Sequence, residues 1–160
     1  MARARLTPAA GRSRRRNTDL AAAGAEFLVL GSLLAEDISA WKAYTNFPGF
    51  DIVAGDIARG SICRIQVKSR SIIGATEFPI KNFGCDFVCF VRLNSYGRGA
   101  RVADRRPPEI FVLPVQVARR AWIKSATFSN VRMAKIKNPE QYLVAWDLVA
   151  DFLAAKRRRR

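Results

Sequence analysis

Between Ile62 and Arg70 apolar and polar residues alternate: Cys63, Ile65 and Val67 fall on one side, Arg64, Gln66, Lys68 and Arg70 on the other. A period of two commits the segment to a β-strand with one buried face, since a helix would scatter the same residues around its circumference. Such a strand needs partners. Phe87 to Leu93 is denser in apolar residues, as in a central strand covered on both faces. Trp41 to Thr45, Phe50 to Ala54 and Glu109 to Leu113 read as further strands, with turns at 46–49 and 55–60.

Helices flank this series. Asn17-Thr18-Asp19 supplies capping side chains and an acid for the helix dipole, so a helix is predicted from about Asp19 to Ala35. A second helix is expected over Val115 to Lys124, followed by an irregular basic segment holding Arg132, Lys135 and Lys137. Asn138-Pro139 opens a final helix reaching about Ala155, with proline in its first turn. One helix, several strands and two more helices give an α/β chain, bordering on α+β, with a mixed sheet flanked by helices.

Charge is concentrated at the ends. The 160 residues carry a formal +15, but residues 1–16 hold six arginines, and residues 156–160 hold one lysine and four arginines, with no acid in either segment. The rest has 17 basic and 13 acidic residues. We therefore expect a disordered basic arm over 1–17, a single domain over 18–155, and a basic C-terminal tail over 156–160. Basic tails on a modestly basic body favour a polyanionic partner, nucleic acid before an anionic membrane. Arg98, Arg101, Arg105 and Arg106 add a basic loop before the Glu109 strand.

The chain has no histidine, which closes the commonest routes to acid–base and nucleophilic catalysis. Cys63, Cys85 and Cys89 form no CxxC pair, too few ligands for zinc. They read as small apolar residues, with Cys85 and Cys89 on one strand, in a protein of the reducing cytoplasm. The apolar run from Leu20 to Ala35 follows Arg14-Arg15-Arg16, a twin-arginine export signal being the alternative reading. It is shorter than the ~20 residues needed to span a bilayer and holds Glu26 in its middle.

Glu26 is out of place. Its helical neighbours are Ala22, Ala23, Val29 and Leu30, and an unpaired buried carboxylate costs several kcal/mol. It needs a basic partner, a proton or a metal, unless the helix turns it to solvent. Asp51 lies inside an apolar strand, where an edge position facing water is the plainer reading. Gln66 and Lys68 alone are the wet side of a strand. Taken together, Asp51 offers a hard oxygen to Mg²⁺ or Mn²⁺, and the Gln66 side-chain oxygen and Val67 carbonyl extend an oxygen shell. Glu26 could hold a metal-bound water or a second ion. A cation there would activate water and neutralise a scissile phosphate, with Lys68 orienting the nucleophile. Arg64 and Arg70 flank the set and could grip phosphates. Trp41, Trp122 and Trp146 read as core, Asp56 and Glu77 as turn or loop acids, and Asp86 as a strand-end residue.

The segments Gly24-Ala25-Glu26, Gly49-Phe50-Asp51 and Ile65-Gln66-Val67-Lys68 resemble the PD-(D/E)XK nuclease superfamily. The strands around Phe87–Val91 and Ile110–Pro114 continue the likeness, which covers roughly residues 19–123. The resemblance implies a restriction-endonuclease-like core, Mg²⁺ or Mn²⁺, and an endonuclease acting on DNA, with RNA as the alternative. It gives Glu26, Asp51, Gln66 and Lys68 the catalytic positions. Two features depart from the pattern: Pro48 lies three residues before Asp51, and Gln66 puts an amide where Asp or Glu is usual, a variant seen in certain intron endonucleases. A nuclease-fold binding protein with weak or no cleavage is the second expectation. Cutting both strands implies a homodimer or higher assembly.

Overall fold

A computed structural model describes residues 17–43, 49–96 and 102–158. The basic arm, Tyr44 to Pro48, Arg98, Arg101, Arg159 and Arg160 lie outside the described residues, and with them part of the 41–45 strand, the 46–49 turn and the 98–106 loop.

Helix α1 (Thr18–Ala35) begins as the sequence predicts, with the Asn17 side chain accepting from the backbone N–H groups of Asp19 and Leu20. By length and composition α1 could cross a membrane. Ala25, Val29 and Leu33 are nevertheless buried on the protein's sheet, while Leu20, Phe27, Leu28 and Leu34 are exposed on the opposite side.

Five strands form the main sheet: β1 (Ala40–Lys42), β2 (Ile52–Asp56), β3 (Ser61–Ile72), β5 (Phe87–Tyr96) and β6 (Glu109–Pro114), in the order β1-β2-β3-β5-β6. Only the β3–β5 pairing is parallel, so the sheet is mixed. Strand β3 carries the alternation read from sequence. Cys63, Ile65 and Val67 enter a core with α1 and with Val149 and Leu153 of α3 (Asp147–Arg158). The other face of the sheet, through Val88, Phe90, Phe111 and Leu113, is covered by α2 (Val115–Arg120) and by a second sheet. There Phe90 stacks between Phe78 and Phe111, with centroids 4.5 and 6.2 Å away.

That second sheet was not legible as such. It has the order β4-β8-β7, from β4 (Glu77–Pro79), β7 (Trp122–Lys124) and β8 (Ser129–Arg132). The helix expected to reach Lys124 stops at Arg120 because Trp122 and Val131 pair across β7 and β8 and close the second core. The final helix likewise does not start at Asn138. Pro139–Tyr142 is a 3-10 turn, Asn138 and Val144 have positive φ, and α3 starts only at Asp147. It then continues to Arg158, so the basic run opens inside a helix. Lys156 packs its ammonium 4.7 Å from the Phe152 ring centroid and donates to the Ile62 carbonyl at 2.8 Å.

The cysteines are all free and buried, but Cys89 lies in the α1 and α3 core while Cys85, before β5, lies in the other. Trp146 is core and Trp122 half-buried, whereas Trp41, expected in the core, is 47% exposed on the edge strand.

Candidate active site

Asp51 stands one residue before β2, not within it as expected, and its backbone is tied on both sides. Its N–H donates to the Ile65 carbonyl of β3, and its carbonyl accepts from Ala43 N–H beyond β1, both at 2.8 Å. Gly49, at φ +104, turns the chain into this position where a Cβ would lie 3.0 Å from the Gly84 backbone. The Asp51 carboxylate reaches over to β3 and accepts the Val67 N–H at 2.6 Å. The aspartate is thus fixed against the middle of the Gln66-Val67-Lys68 element.

Alternation places Gln66 and Lys68 on the sheet face opposite Val67, the face that also carries Val88 and Phe90. Gln66 is buried, and its side-chain oxygen has no hydrogen-bond partner. A buried acceptor left unpaired costs roughly 1–3 kcal/mol, so such an atom next to the residue that Asp51 binds is suited to a cation. On the other side of the sheet, Glu26 of α1 forms an ion pair with Lys42 of β1, Nζ to Oε2 at 2.9 Å. The Lys42 ammonium also lies 5.0 Å from the Phe27 ring centroid.

Asp51 sits between these two groups. Burial pushes its pKa above the ordinary 3.8, and the Glu26 charge adds to the rise; the Val67 N–H and the charges of Lys68 and Lys42 oppose it. The structure therefore puts Asp51 within electrostatic reach of Glu26 and Lys68 and binds it to the residue between Gln66 and Lys68. It also adds Lys42, which sequence reasoning missed. The hint in sequence was its even spacing from Ile38 and Ala40, which puts a lysine on the face that those two residues bury.

The other candidates separate from this cluster. Arg64 is exposed and held by Asp86, whose carboxylate accepts Arg64 N–H at 2.8 Å and lies 3.4 Å from Arg64 Nε. Asp86 thus serves Arg64. Arg70 is half-buried near the end of β3; Arg105 and Arg106 are exposed before β6. Asp56 ends β2 and caps the following turn through Arg59 N–H, and Glu77 joins Asn130 and Arg132 of β8.

The donor set fits a hard cation in kind: carboxylate, amide and carbonyl oxygens, with no soft ligand. Among the described residues no three His, Cys, Asp or Glu side chains come together in a group that could hold a metal ion.

No protein-family model matches the sequence, and no curated protein matches it. Three-dimensional likeness is clear. The chain is similar to the bacterial homing endonuclease I-Ssp6803I, with a TM-score of 0.58 over 90% of this chain and 99% of that one, at 17% identity. It is also similar to Hjc, a Holliday junction resolvase from the archaeal hyperthermophile Archaeoglobus fulgidus, with a TM-score of 0.50 over 81% and 96%, again at 17% identity. The fold is restriction-endonuclease-like: a mixed five-stranded sheet flanked by helices. At such low identity the likeness establishes architecture, and the site residues must carry the chemistry on their own.

Proposed function

We propose that this chain is a metal-dependent endonuclease that hydrolyses phosphodiester bonds in DNA. The observation that carries the reading is the unpaired, buried oxygen of Gln66 beside an aspartate locked onto Val67. Asp51, the Gln66 side chain and the Val67 carbonyl would hold Mg²⁺ or Mn²⁺, with Glu26 the remaining acid of the cluster. When bound, the cation supplies Lewis-acid stabilisation of phosphate charge. The Asp51 carboxylate is held by Val67 N–H, so it is oriented before any ligand arrives. Lys68, on the Gln66 face, is placed to orient the attacking water and to offset negative charge on the phosphate.

DNA is favoured by the similar architecture of a homing endonuclease and a junction resolvase, and by the arginine-rich ends. Arg64, Arg70, Arg105 and Arg106, with Arg98 and Arg101, would supply backbone affinity, so binding should weaken steeply with salt. One site cuts one strand, and a homodimer or larger assembly would cut both. Free, buried cysteines suit a cytoplasmic protein. Asp51→Ala and Lys68→Ala should each abolish Mg²⁺- or Mn²⁺-dependent nicking of supercoiled or branched DNA while the circular dichroism spectrum stays native. Wild-type protein that never nicks either substrate would remove the enzymatic reading.

The neutral amide at Gln66 favours one competitor, a nuclease-fold DNA-binding protein without cleavage. Wild-type cleavage excludes it; activity gained only in Gln66→Glu establishes it.

A further inference from the structure

Two lysines lie beside Asp51, and Lys42 has a geometry that Lys68 lacks. Its backbone is in the β1–β2 ladder opposite Ile52, next to the Ala43–Asp51 hydrogen bond. Its ammonium is held from one side by the Glu26 carboxylate at 2.9 Å and from another by the Phe27 ring. Glu26 and Lys42 side chains are only 21% and 35% exposed, so the pair is partly shielded from water. Glu26 is therefore already neutralised, Gln66 carries no charge, and Asp51 is the one carboxylate of the set without a salt-bridge partner at contact distance.

A second divalent ion would need more negative charge than this leaves. We propose that Lys42 is a positioning residue: it keeps the Glu26 carboxylate out of the ligand shell, so that the site takes a single divalent cation, on the Asp51 and Gln66 side. In this arrangement the Lys42 ammonium stands as the fixed positive charge on the α1 side of Asp51, where a second ion would otherwise be drawn. The inference rests on the metal-dependent reading above and specifies how many ions that site accepts and why.

The test is Mn²⁺ binding to the full chain, by calorimetry and by electron paramagnetic resonance, without DNA or turnover. Wild type should bind one ion per chain, and Asp51→Asn should lose it. Lys42→Arg, which keeps the ion pair, should match wild type. Lys42→Met keeps an apolar stem against Phe27 but releases Glu26. It should tighten binding roughly tenfold more than the same change does in a Glu26→Gln background, the effect of one carboxylate joining a partly solvated ion. Two ions per wild-type chain would overturn the proposal. So would equal effects of Lys42→Met in both backgrounds, or a second ion in Lys42→Arg. Absence of Mn²⁺ binding in every protein, wild type included, is a different result that removes the metal reading itself.

Discussion

Replacing Gln66 by methionine should make the metal-free protein more stable. The side chain is buried at 6% exposure, and its oxygen accepts no hydrogen bond. Folding therefore strips water from that oxygen without replacement, a cost of about 1–3 kcal/mol. Methionine has a similar length, fills irregular space readily and brings no strong polar atom. The gain should approach the cost removed, less whatever the amide nitrogen contributes. For a chain of this size each kcal/mol moves the midpoint by roughly 2–4 °C, so an increase of about 2–10 °C is expected. The assay is thermal unfolding followed by circular dichroism in EDTA, repeated with Mn²⁺. In EDTA the variant should melt higher than wild type; with Mn²⁺ the wild-type midpoint should rise and the variant's should move less. A lower midpoint for Gln66→Met in EDTA would refute the reasoning, since it would mean the amide is structurally paired and not held in reserve for a cation.

Three further outcomes follow from the same geometry. Gln66→Glu adds a second carboxylate at a buried position close to Asp51, so it should destabilise the metal-free protein by about 3 kcal/mol and bind Mn²⁺ more tightly, readable as a larger metal-induced rise in midpoint. Because the folded pKa of Asp51 is raised above 3.8, its ionised form opposes folding at neutral pH, and that opposition fades as pH falls through the folded value. Asp51→Asn should consequently stabilise the metal-free protein at pH 7, while in wild type Mn²⁺ affinity should drop with acidification at pH values above the ordinary aspartate range; a pH series of calorimetric titrations checks both. Asn94, buried with φ 49, accepts from Gly74 N–H and donates to the Pro107 carbonyl and the Glu109 carboxylate. Asn94→Ala should lower stability by about 2–4 kcal/mol in urea unfolding, and Asn94→Gly should not restore it, since most of the loss is in hydrogen bonds, not backbone conformation.

The long strand and the capped helix were legible because each is written in local chemistry: the alternation through Cys63, Ile65 and Val67, and the Asn17 cap. The second sheet was not, because Trp122 and Ser129–Arg132 become strands by pairing with each other and with β4, a contact between segments far apart in the chain. Proline at 139 signalled a helical start, yet the left-handed backbone of Val144 and its N–H bond to the Ile110 carbonyl keep the chain from becoming helical until α3. At the site, Glu26 was visible as an acid among apolar residues. Its partner was not, since Lys42 reads as an ordinary strand lysine until β1 is laid beside β2. Asp51 was found for a partly mistaken reason: it is not an acid inside a strand but the residue whose side chain takes over strand pairing at the end of one.

That substitution of a side chain for a backbone acceptor has a consequence for how the molecule acquires its chemistry. The Val67 amide finds its acceptor in the Asp51 carboxylate once β2 and β3 lie in register, and the Ala43–Asp51 bond ties the segment after β1 into the same row. The site is thus a property of paired strands and of no single segment.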